Sequence, residues 1–152
     1  MADFQWLEGG ITAVPGILAS GIAAGIKPSG KKDLALVYSS SPARAAAVFT
    51  TASVPLTRPA TTAELIALYR EFYAGEPFVR VLDEGQRPTT RRVVGSNYCD
   101  LTVVADARTG RAVCVSAIDN LGKGGSANGI QSLNIMMGWD ERTGLEAPPV
   151  YP

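Results

Sequence analysis

The amino-acid sequence predicts an α+β domain, in which an antiparallel sheet is packed with two main helices. Two apolar runs, residues 101–105 and 112–118, flank a polar turn and predict a β-hairpin. Two other stretches, residues 61–72 and 127–137, repeat apolar side chains at helical intervals. With 152 residues and 46% hydrophobic content, the chain is long enough to bury one ordinary core.

The first third of the chain predicts extended structure. A glycine-rich apolar segment ends in the basic turn "KPSGKKD", and "LALVYS" (34–39) then has the composition of a buried strand. Ser41-Pro42 is able to start a short helical turn through "ARAA", because proline is tolerated at the first helical position. The next stretch, "AVFTT" (47–51), is again predicted to be extended.

The strongest helix signal begins at Thr61. Thr61 and Glu64 have the spacing of a capping box, which satisfies amide groups at a helix start. An apolar stripe typical of a core-facing helix follows at Leu65, Leu68, Tyr69 and Phe72. After this helix, "EPFVRVL" (76–82) predicts a short strand.

The polar segment "DEGQRPTTRR" predicts a loop, in which Gly85 and Pro88 supply turn residues. It brings together three cations, Arg87, Arg91 and Arg92. Such a cluster either faces water or holds a phosphate. Because charge runs usually face solvent, the pattern favours a solvated loop.

The hairpin turn and the last helix complete the fold. Asp106 starts the turn, and Gly110 stands where a positive φ is needed. Gly138 is a plausible C-cap of the last helix, and beyond Trp139 the periodicity ends, so the tail is predicted to be irregular. The helical spacing is carried by Ala127, Ile130, Leu133 and Met137.

The composition excludes several function classes. Lys+Arg and Asp+Glu both total 14, so no summed charge favours nucleic acid or an anionic membrane as a partner. Histidine is absent, which removes the commonest general base and imidazole metal sites. Cys99 and Cys114 form no metal knuckle and are interpreted as reduced core residues. No metal site and no catalytic residue is therefore predicted.

The N-terminal residues predict a cytoplasmic protein. "MADFQWLEGG" carries two acidic residues and no basic one, unlike the positive start of a signal peptide. The apolar run "ITAVPGILASGIAAGI" is shorter than a membrane span and is interrupted by proline and glycine.

The glycine-rich stretch "IDNLGKGG" raises the question of a ligand site. Neither a Walker loop nor a dinucleotide fingerprint occurs. A strand ending near Asp119, followed by a helix start, would aim backbone amides and one lysine at a common point. From the residues alone, a simple strand-to-helix turn and an anion or polar-ring site both remain open.

The later blocks resemble a known family. "VPLTRPATTAELIALYREFYAGEPFVRVL", "VVGSNYCDLTVVADARTGRAVCVSAIDNL", "KGGSANGIQSLNIMMG" and "DERTGL" occur in the order seen in the C-terminal part of N-acetyl-gamma-glutamyl-phosphate reductase, the NADPH-dependent enzyme of arginine biosynthesis. The resemblance implies the substrate and dimerisation domain of semialdehyde dehydrogenase-like reductases, and a homo-oligomer. It implies NADP as cofactor, with Asn120, Lys123 and Gly124 as candidate cofactor-side residues.

The first block resembles another enzyme of the same pathway. "GGITAVPGILASGIAAGIKPSGKKDLALVYSSSPARAAAVFTT" is similar to the N-terminus of bifunctional ornithine acetyltransferase (glutamate N-acetyltransferase). The two resemblances divide the chain into an acetyltransferase-like segment, 1–51, and a reductase-like region, 52–152. They imply a chimeric or truncated arginine-biosynthesis protein.

The chemistry that the two families use is incomplete in this chain. The reductase resemblance calls for a nucleophilic cysteine, a histidine and an N-terminal Rossmann domain, but Cys99 in "GSNYCDL" does not match the nucleophile motif. The acetyltransferase resemblance calls for a threonine nucleophile at an internal cleavage site, which is also missing. Whether the chain is an enzyme is therefore open. The alternatives are a component completed by a partner chain, and a remnant or artefact with a structural role only.

Overall fold

The computed structural model describes residues 35–39 and 47–150. Within these ranges the chain forms five strands and two α-helices: β1 (Ala35–Ser39), β2 (Ala47–Pro55), α1 (Thr62–Phe72), β3 (Val79–Val81), β4 (Cys99–Asp106), β5 (Arg111–Asp119) and α2 (Ala127–Met136). This confirms the predicted α+β class. The expected helical turn at residues 41–46 lies outside the described residues.

The five strands form one sheet in the order β1-β2-β5-β4-β3. Adjacent strands are antiparallel, with one exception: β3 pairs with β4 in parallel, Val79 opposite Cys99. The parallel pair is possible because residues 82–98 connect the two strands by a long crossover, which a tight turn does not provide. β2 spans the predicted division at residues 51 and 52, and pairs along its whole length with β5.

The hairpin between β4 and β5 and its turn residues agree with the sequence prediction. Asp106 accepts hydrogen bonds from the Arg108 amide and the Thr109 hydroxyl, at 3.0 and 2.7 Å. Gly110 has a φ of +65°, as the turn position predicted. Local sequence therefore defines this hairpin completely.

Helix α1 covers one face of the sheet. Thr61 and Glu64 form the predicted capping box, with Thr61 N donating to Glu64 Oε2 at 2.7 Å. Thr62 Oγ1 accepts from the Ala105 amide and ties the helix start to the end of β4. The core beneath the helix consists of Ala52, Val54, Leu65, Ile66, Tyr69, Leu101, Val103, Ala112 and Cys114.

The two cysteines confirm the interpretation as reduced core residues. Both are free and buried, and Cys114 Sγ lies 2.9 Å from the Tyr69 hydroxyl. Burial raises the pKa of the Cys114 thiol to about 11 and that of the Cys99 thiol to about 12. Both thiols are therefore protonated near neutral pH.

The sequence predicted that helix α2 packs on the sheet, and the structure arranges this helix differently. It ends as predicted, with Gly138 at a φ of +70° and the Trp139 amide bonded to Asn134 O at 2.9 Å. Its buried side chains, however, are Gln131 and Asn134. The apolar stripe that predicted the helix faces outward, with Leu133 50% exposed. Residues of the tail and of a loop lie against the inner side.

The tail after α2 has no regular structure, as predicted, but it is held in place. Asn134 Nδ2 donates to the carbonyl oxygens of Glu141 and Thr143 at 3.2 and 3.0 Å. Leu145 is buried. None of the helices in the described part of the chain has the length and apolar character of a membrane span.

Candidate functional site

The candidate site lies at the end of β5, and the buried Asp119 organises it. Asp119 Oδ1 accepts from the amides of Leu121 and Gly122 at 2.7 and 2.9 Å, and Oδ2 accepts from the Gly95 amide. One carboxylate therefore closes the turn after β5 and joins it to the turn at Gly95. The amides of Leu121 and Gly122 are thus bonded within the turn itself.

Residues Gly122–Ser126 form a single wide helical turn before α2. The Ser126 amide and hydroxyl both donate to Leu121 O, at 3.0 and 2.8 Å. Gly125, with φ −144° and ψ −109°, breaks the helical path inside this turn.

Two glycines allow the close approach of backbone segments at this turn. A Cβ at position 122 would lie 2.7 Å from Ser96 O, so any side chain would clash with the backbone. A Cβ at position 124 would lie 3.2 Å from Asn120 Oδ1 and 3.3 Å from Asp119 O. Asn120 and Gly124 are therefore neighbours.

The Lys123 side chain points into the protein. It is 7% exposed, and its Nζ donates to Gln131 Oε1 at 2.6 Å. Nζ also lies 5.6 Å from the centre of the Phe78 ring. Burial lowers the pKa of the Lys123 ammonium, and the nearby Cys99 and Glu141 oppose that shift.

An amide network holds the Lys123 ammonium in place. Gln131 Oε1 also accepts from Asn97 Nδ2 at 3.0 Å, and Gln131 Nε2 donates to Glu141 Oε2 at 2.9 Å. Gln131 therefore connects the lysine to a carboxylate of the tail. It also joins three segments: the loop before β4, helix α2 and the tail.

Sequence reasoning missed the residues that build this network. Asp119 stood in the quoted motif, yet a carboxylate that accepts backbone amides leaves no periodic signal. Gln131 and Asn134 did carry a sequence signal, because both are polar and three residues apart on a helix whose other side is apolar.

The basic loop is the second place for which the sequence left an anion site open. The Arg92 side chain is exposed, as expected for a solvated loop, and its Nε lies 3.3 Å from Asp100 Oδ2. Asp100 is fully buried and also accepts from Arg80 Nε at 2.6 Å. Arg80 stacks on the Tyr98 ring at 4.4 Å. The loop is thus anchored by a buried carboxylate.

The family model described as "Semialdehyde dehydrogenase, dimerisation domain" matches residues 24–120. The chain belongs to this family. The match covers more than half of the chain and includes residues on both sides of the predicted division at 51 and 52. It also includes Asp119 and Asn120, the start of the candidate turn.

The curated relatives of this chain are reductases. The N-acetyl-gamma-glutamyl-phosphate reductase of Geobacter sulfurreducens is 59% identical over 97 residues, which are 64% of this chain and 28% of the relative. That of Geobacillus kaustophilus is 45% identical over 116 residues, covering 68% of this chain and 34% of the relative. The C-terminal part of the chain is thus similar to the reductase, as expected, and the chain spans about a third or less of these relatives.

Solved structures agree on the fold. Aspartate semialdehyde dehydrogenase II from Vibrio cholerae matches with a TM-score of 0.51 at 14% identity, over 61% of this chain and 28% of that one. A probable aspartate-semialdehyde dehydrogenase from Pseudomonas aeruginosa gives 0.50 at 16% identity, over 60% and 27%. At such identities the likeness shows the fold alone.

Proposed function

We propose that this chain is the substrate-side and dimerisation region of an NADPH-dependent N-acetyl-gamma-glutamyl-phosphate reductase, acting in cytoplasmic arginine biosynthesis, and that it does not complete the reduction by itself. The identity of 59% over 97 residues to such a reductase carries the proposal. The chain has no histidine, and the buried Cys99 has its pKa raised to about 12 by desolvation. A thiol of this kind is a poor nucleophile near neutral pH.

We propose that Asn120, Lys123 and Gly124 contact the cofactor NADP. Their support is the compact turn in which Asn120 and Gly124 adjoin, with one buried cation behind them. Lys123 forms one hydrogen bond to Gln131, and an ammonium has three donors. Rotation of this side chain would let Nζ exchange Gln131 for a phosphate or carboxamide oxygen.

Titration with NADPH, followed by the fluorescence of the nucleotide, tests the contact. Lys123→Met keeps the length of the side chain and removes its charge, and Arg108→Met removes a charge from an exposed hairpin turn as the matched control. We expect saturable binding that weakens about tenfold in Lys123→Met, because a charge-assisted contact is lost, and an unchanged affinity in Arg108→Met. Equal affinities in all three would exclude Lys123 from the site.

A turnover assay tests whether the chain is catalytically incomplete. The purified chain is mixed with N-acetyl-glutamyl phosphate and NADPH, and NADPH absorbance is followed against a reaction without protein. We expect equal rates. A rate above the control would show that the chain completes the reduction alone, and the proposal would fall.

We also propose that the chain forms a homo-oligomer through the face of the sheet opposite α1. The matched family is described as a dimerisation domain, and this face carries partly exposed apolar side chains, those of Phe49, Val104, Val113 and Val115, beside Thr51 and Ser53. A groove of about 430 Å³ lies between it and the loop at residues 84–88. The groove and the face share Phe49, Thr102, Val104 and Val115. A monomeric mass in sedimentation equilibrium at micromolar concentration would contradict this assembly.

The division into an acetyltransferase-like segment, 1–51, and a reductase-like region, 52–152, is kept as part of the proposal. Its support is the sequence block that ends at Thr51. Two parts of different origin are expected to unfold with poor cooperativity. Calorimetric and van't Hoff enthalpies that agree for a single transition would argue against the division.

A further inference from the structure

The side chain of Glu141, in the tail after α2, lies at the outer end of the buried amide network. Gln131 Nε2 donates to Glu141 Oε2 at 2.9 Å. Behind this bond, Gln131 and Lys123 are 8% and 7% exposed, and Lys123 Nζ donates to Gln131 Oε1 at 2.6 Å. A carboxylate is therefore held by a buried amide, with a buried cation directly behind that amide.

The groups at its two ends fix the orientation of the Gln131 amide. An ammonium only donates hydrogen bonds, and an ionised carboxylate only accepts them. Lys123 therefore holds Oε1 on the inner side, which leaves Nε2 facing outward, towards Glu141. Asn97 Nδ2 also donates to Oε1, at 3.0 Å, and stabilises the same orientation. The outward-facing group is thus a donor, and a group that replaces Glu141 must accept a hydrogen bond.

The positive charge behind the amide favours an anion over a neutral acceptor. The ion pairs formed among the described residues do not include Lys123. Desolvation lowers the pKa of the Lys123 ammonium, whereas the nearby Cys99 and Glu141 oppose that shift. Because an isolated charge is costly to bury, an anion close to this cation stabilises it. A carboxylate bound to Gln131 Nε2 supplies that negative charge.

The network also contains an acceptor that Glu141 does not satisfy. Asn97 is 2% exposed, and its Oδ1 has no hydrogen-bond partner within the part of the chain that the structure describes. A buried polar atom without a partner costs free energy. Glu141 thus leaves the network incompletely satisfied, and a ligand that enters together with a bound water molecule can complete it.

The Glu141 side chain can leave this position while the tail stays in place. The side chain is only partly buried, and its backbone is held separately, because Asn134 Nδ2 donates to the carbonyl oxygens of Glu141 and Thr143. The buried Leu145 anchors the next part of the tail. Rotation of one side chain into solvent therefore exposes Gln131 Nε2 and leaves the network behind it intact.

We infer that Gln131 and Lys123 form a binding site for a short aliphatic carboxylate, and that Glu141 occupies this site as an internal competitor. The glutamate side chain presents its carboxylate at the end of a short methylene chain, which defines the kind of ligand that the site accepts. The inference uses Lys123 in the inward direction that the structure shows, so it does not depend on the proposed cofactor contact. A ligand must displace Glu141, and the tail therefore sets how tightly the site binds.

The probe is glutarate, a short dicarboxylate, and the uncharged glutaramide is the control ligand. Binding to the full chain, without nucleotide and at constant ionic strength, is followed by the NMR signals of the Gln131 side-chain amide. These signals are assigned by their absence in Gln131→Met. Glu141→Ala removes the internal carboxylate. Glu146→Ala removes an exposed carboxylate of the same tail and is the matched control.

We expect Glu141→Ala to bind glutarate at least about tenfold more tightly than wild type does, because a tethered competitor is removed. Glu146→Ala should bind glutarate as wild type does, and glutaramide should bind to none of these proteins. Addition of Lys123→Met to Glu141→Ala should weaken glutarate binding about tenfold, because the charge behind the amide is lost. Glu141→Gln keeps the length of the side chain without its charge, so its affinity for glutarate should lie between those of wild type and Glu141→Ala.

Circular dichroism verifies that the variants are folded, and Glu141→Gln takes the place of Glu141→Ala if the shorter side chain unfolds the protein. Gln131 signals that do not respond to glutarate in Glu141→Ala, or equal affinities in this variant and wild type, would overturn the inference. An affinity that Lys123→Met leaves unchanged would also overturn it, and would assign to Glu141 only a structural role in the tail.

Discussion

The two helices of this protein bury opposite kinds of side chain. Helix α1 buries Leu65, Ile66 and Tyr69 on the sheet and exposes its polar side. Helix α2 buries Gln131 and Asn134 and exposes its apolar side. Hydrophobic burial thus stabilises the first helix, whereas a hydrogen-bond network fixes the second. The first arrangement is complete within the chain, and the second leaves a surface suited to a partner.

The largest expected difference comes from shortening one leucine in each helix. Leu65→Ala empties a fully buried position and should lower the free energy of unfolding by about 2–5 kcal/mol. Leu133→Ala, at a half-exposed position, should change it by about 0.5 kcal/mol or less. Urea denaturation followed by circular dichroism measures both. A large loss in Leu133→Ala would mean that the outer apolar side of α2 is packed within the chain itself.

The difference between the helices also marks what could be predicted from sequence. The capping box at Thr61 and the turn at Gly110 are local, so the residues themselves define α1 and the hairpin. Periodicity predicted that α2 is a helix, but the direction of its apolar stripe depends on partners distant in the chain. The parallel pairing of β3 with β4 is missed for the same reason, since the direction of β3 depends on the crossover through residues 82–98 and not on its own three residues.

The candidate site shows the same contrast between features that the sequence predicted and features that depend on residues distant in the chain. Asn120, Lys123 and Gly124 came from a family resemblance, and the structure places Asn120 beside Gly124. The inward direction of Lys123 was not predictable, because it depends on Gln131, eight residues away on α2. A buried lysine is held by the geometry of its acceptors, which composition and spacing do not describe.

The stability of the protein should respond to alkaline pH through its buried thiols. Desolvation raises the pKa of folded Cys99 from its ordinary 9.0 to about 12. The unfolded chain therefore loses this proton first, so the stabilising contribution is complete below about pH 9 and is lost as the pH rises toward 12. We expect the free energy of unfolding of wild type to fall more steeply than that of Cys99→Ala above about pH 9.

The comparison between these two proteins removes the Cys99 thiol and retains the other titrating groups, of which Tyr73 and Lys123 have pKa values that Cys99 also influences. Cys114 and Tyr73 also have raised pKa values, while the lowered pKa of Lys123 acts in the opposite direction, and both proteins retain all three. Urea midpoints measured at a series of pH values give the two slopes. Parallel slopes would show that the Cys99 thiol ionises as readily in the folded core as in water.

Removing the hydroxyl side chain at the start of each helix should change the free energy of unfolding by a smaller amount. Thr61→Ala removes the bond from the Glu64 amide to Thr61 Oγ1 and the bond from the Thr61 hydroxyl to Glu64 Oε2, and should cost about 1 kcal/mol of stability. Ser126, at the start of α2, makes no side-chain capping bond, and its hydroxyl donates to Leu121 O instead. Ser126→Ala should cost about 0.5 kcal/mol, the lower end for a neutral hydrogen bond. Urea midpoints of both variants test the order, and a larger loss in Ser126→Ala would reverse it.

A gain in stability is expected from one substitution inside α2. Gly129 is inside the helix, and a Cβ there would meet no atom within 4 Å. Gly129→Ala should therefore stabilise the chain by about 0.5–1 kcal/mol, because alanine loses less backbone entropy in a helix. Gly138 has equally open surroundings but a φ of +70°, so Gly138→Ala should destabilise by about 1 kcal/mol.

Thermal unfolding of this pair, with ligand-free protein, measures both signs. The same added methyl group meets empty space at both positions, so the difference between the variants reports backbone conformation alone. A destabilising Gly129→Ala would mean that the outer side of α2 is covered within the chain or by a second copy. Stabilisation would show that this helix is limited by its own backbone, with its outer side still open to a partner.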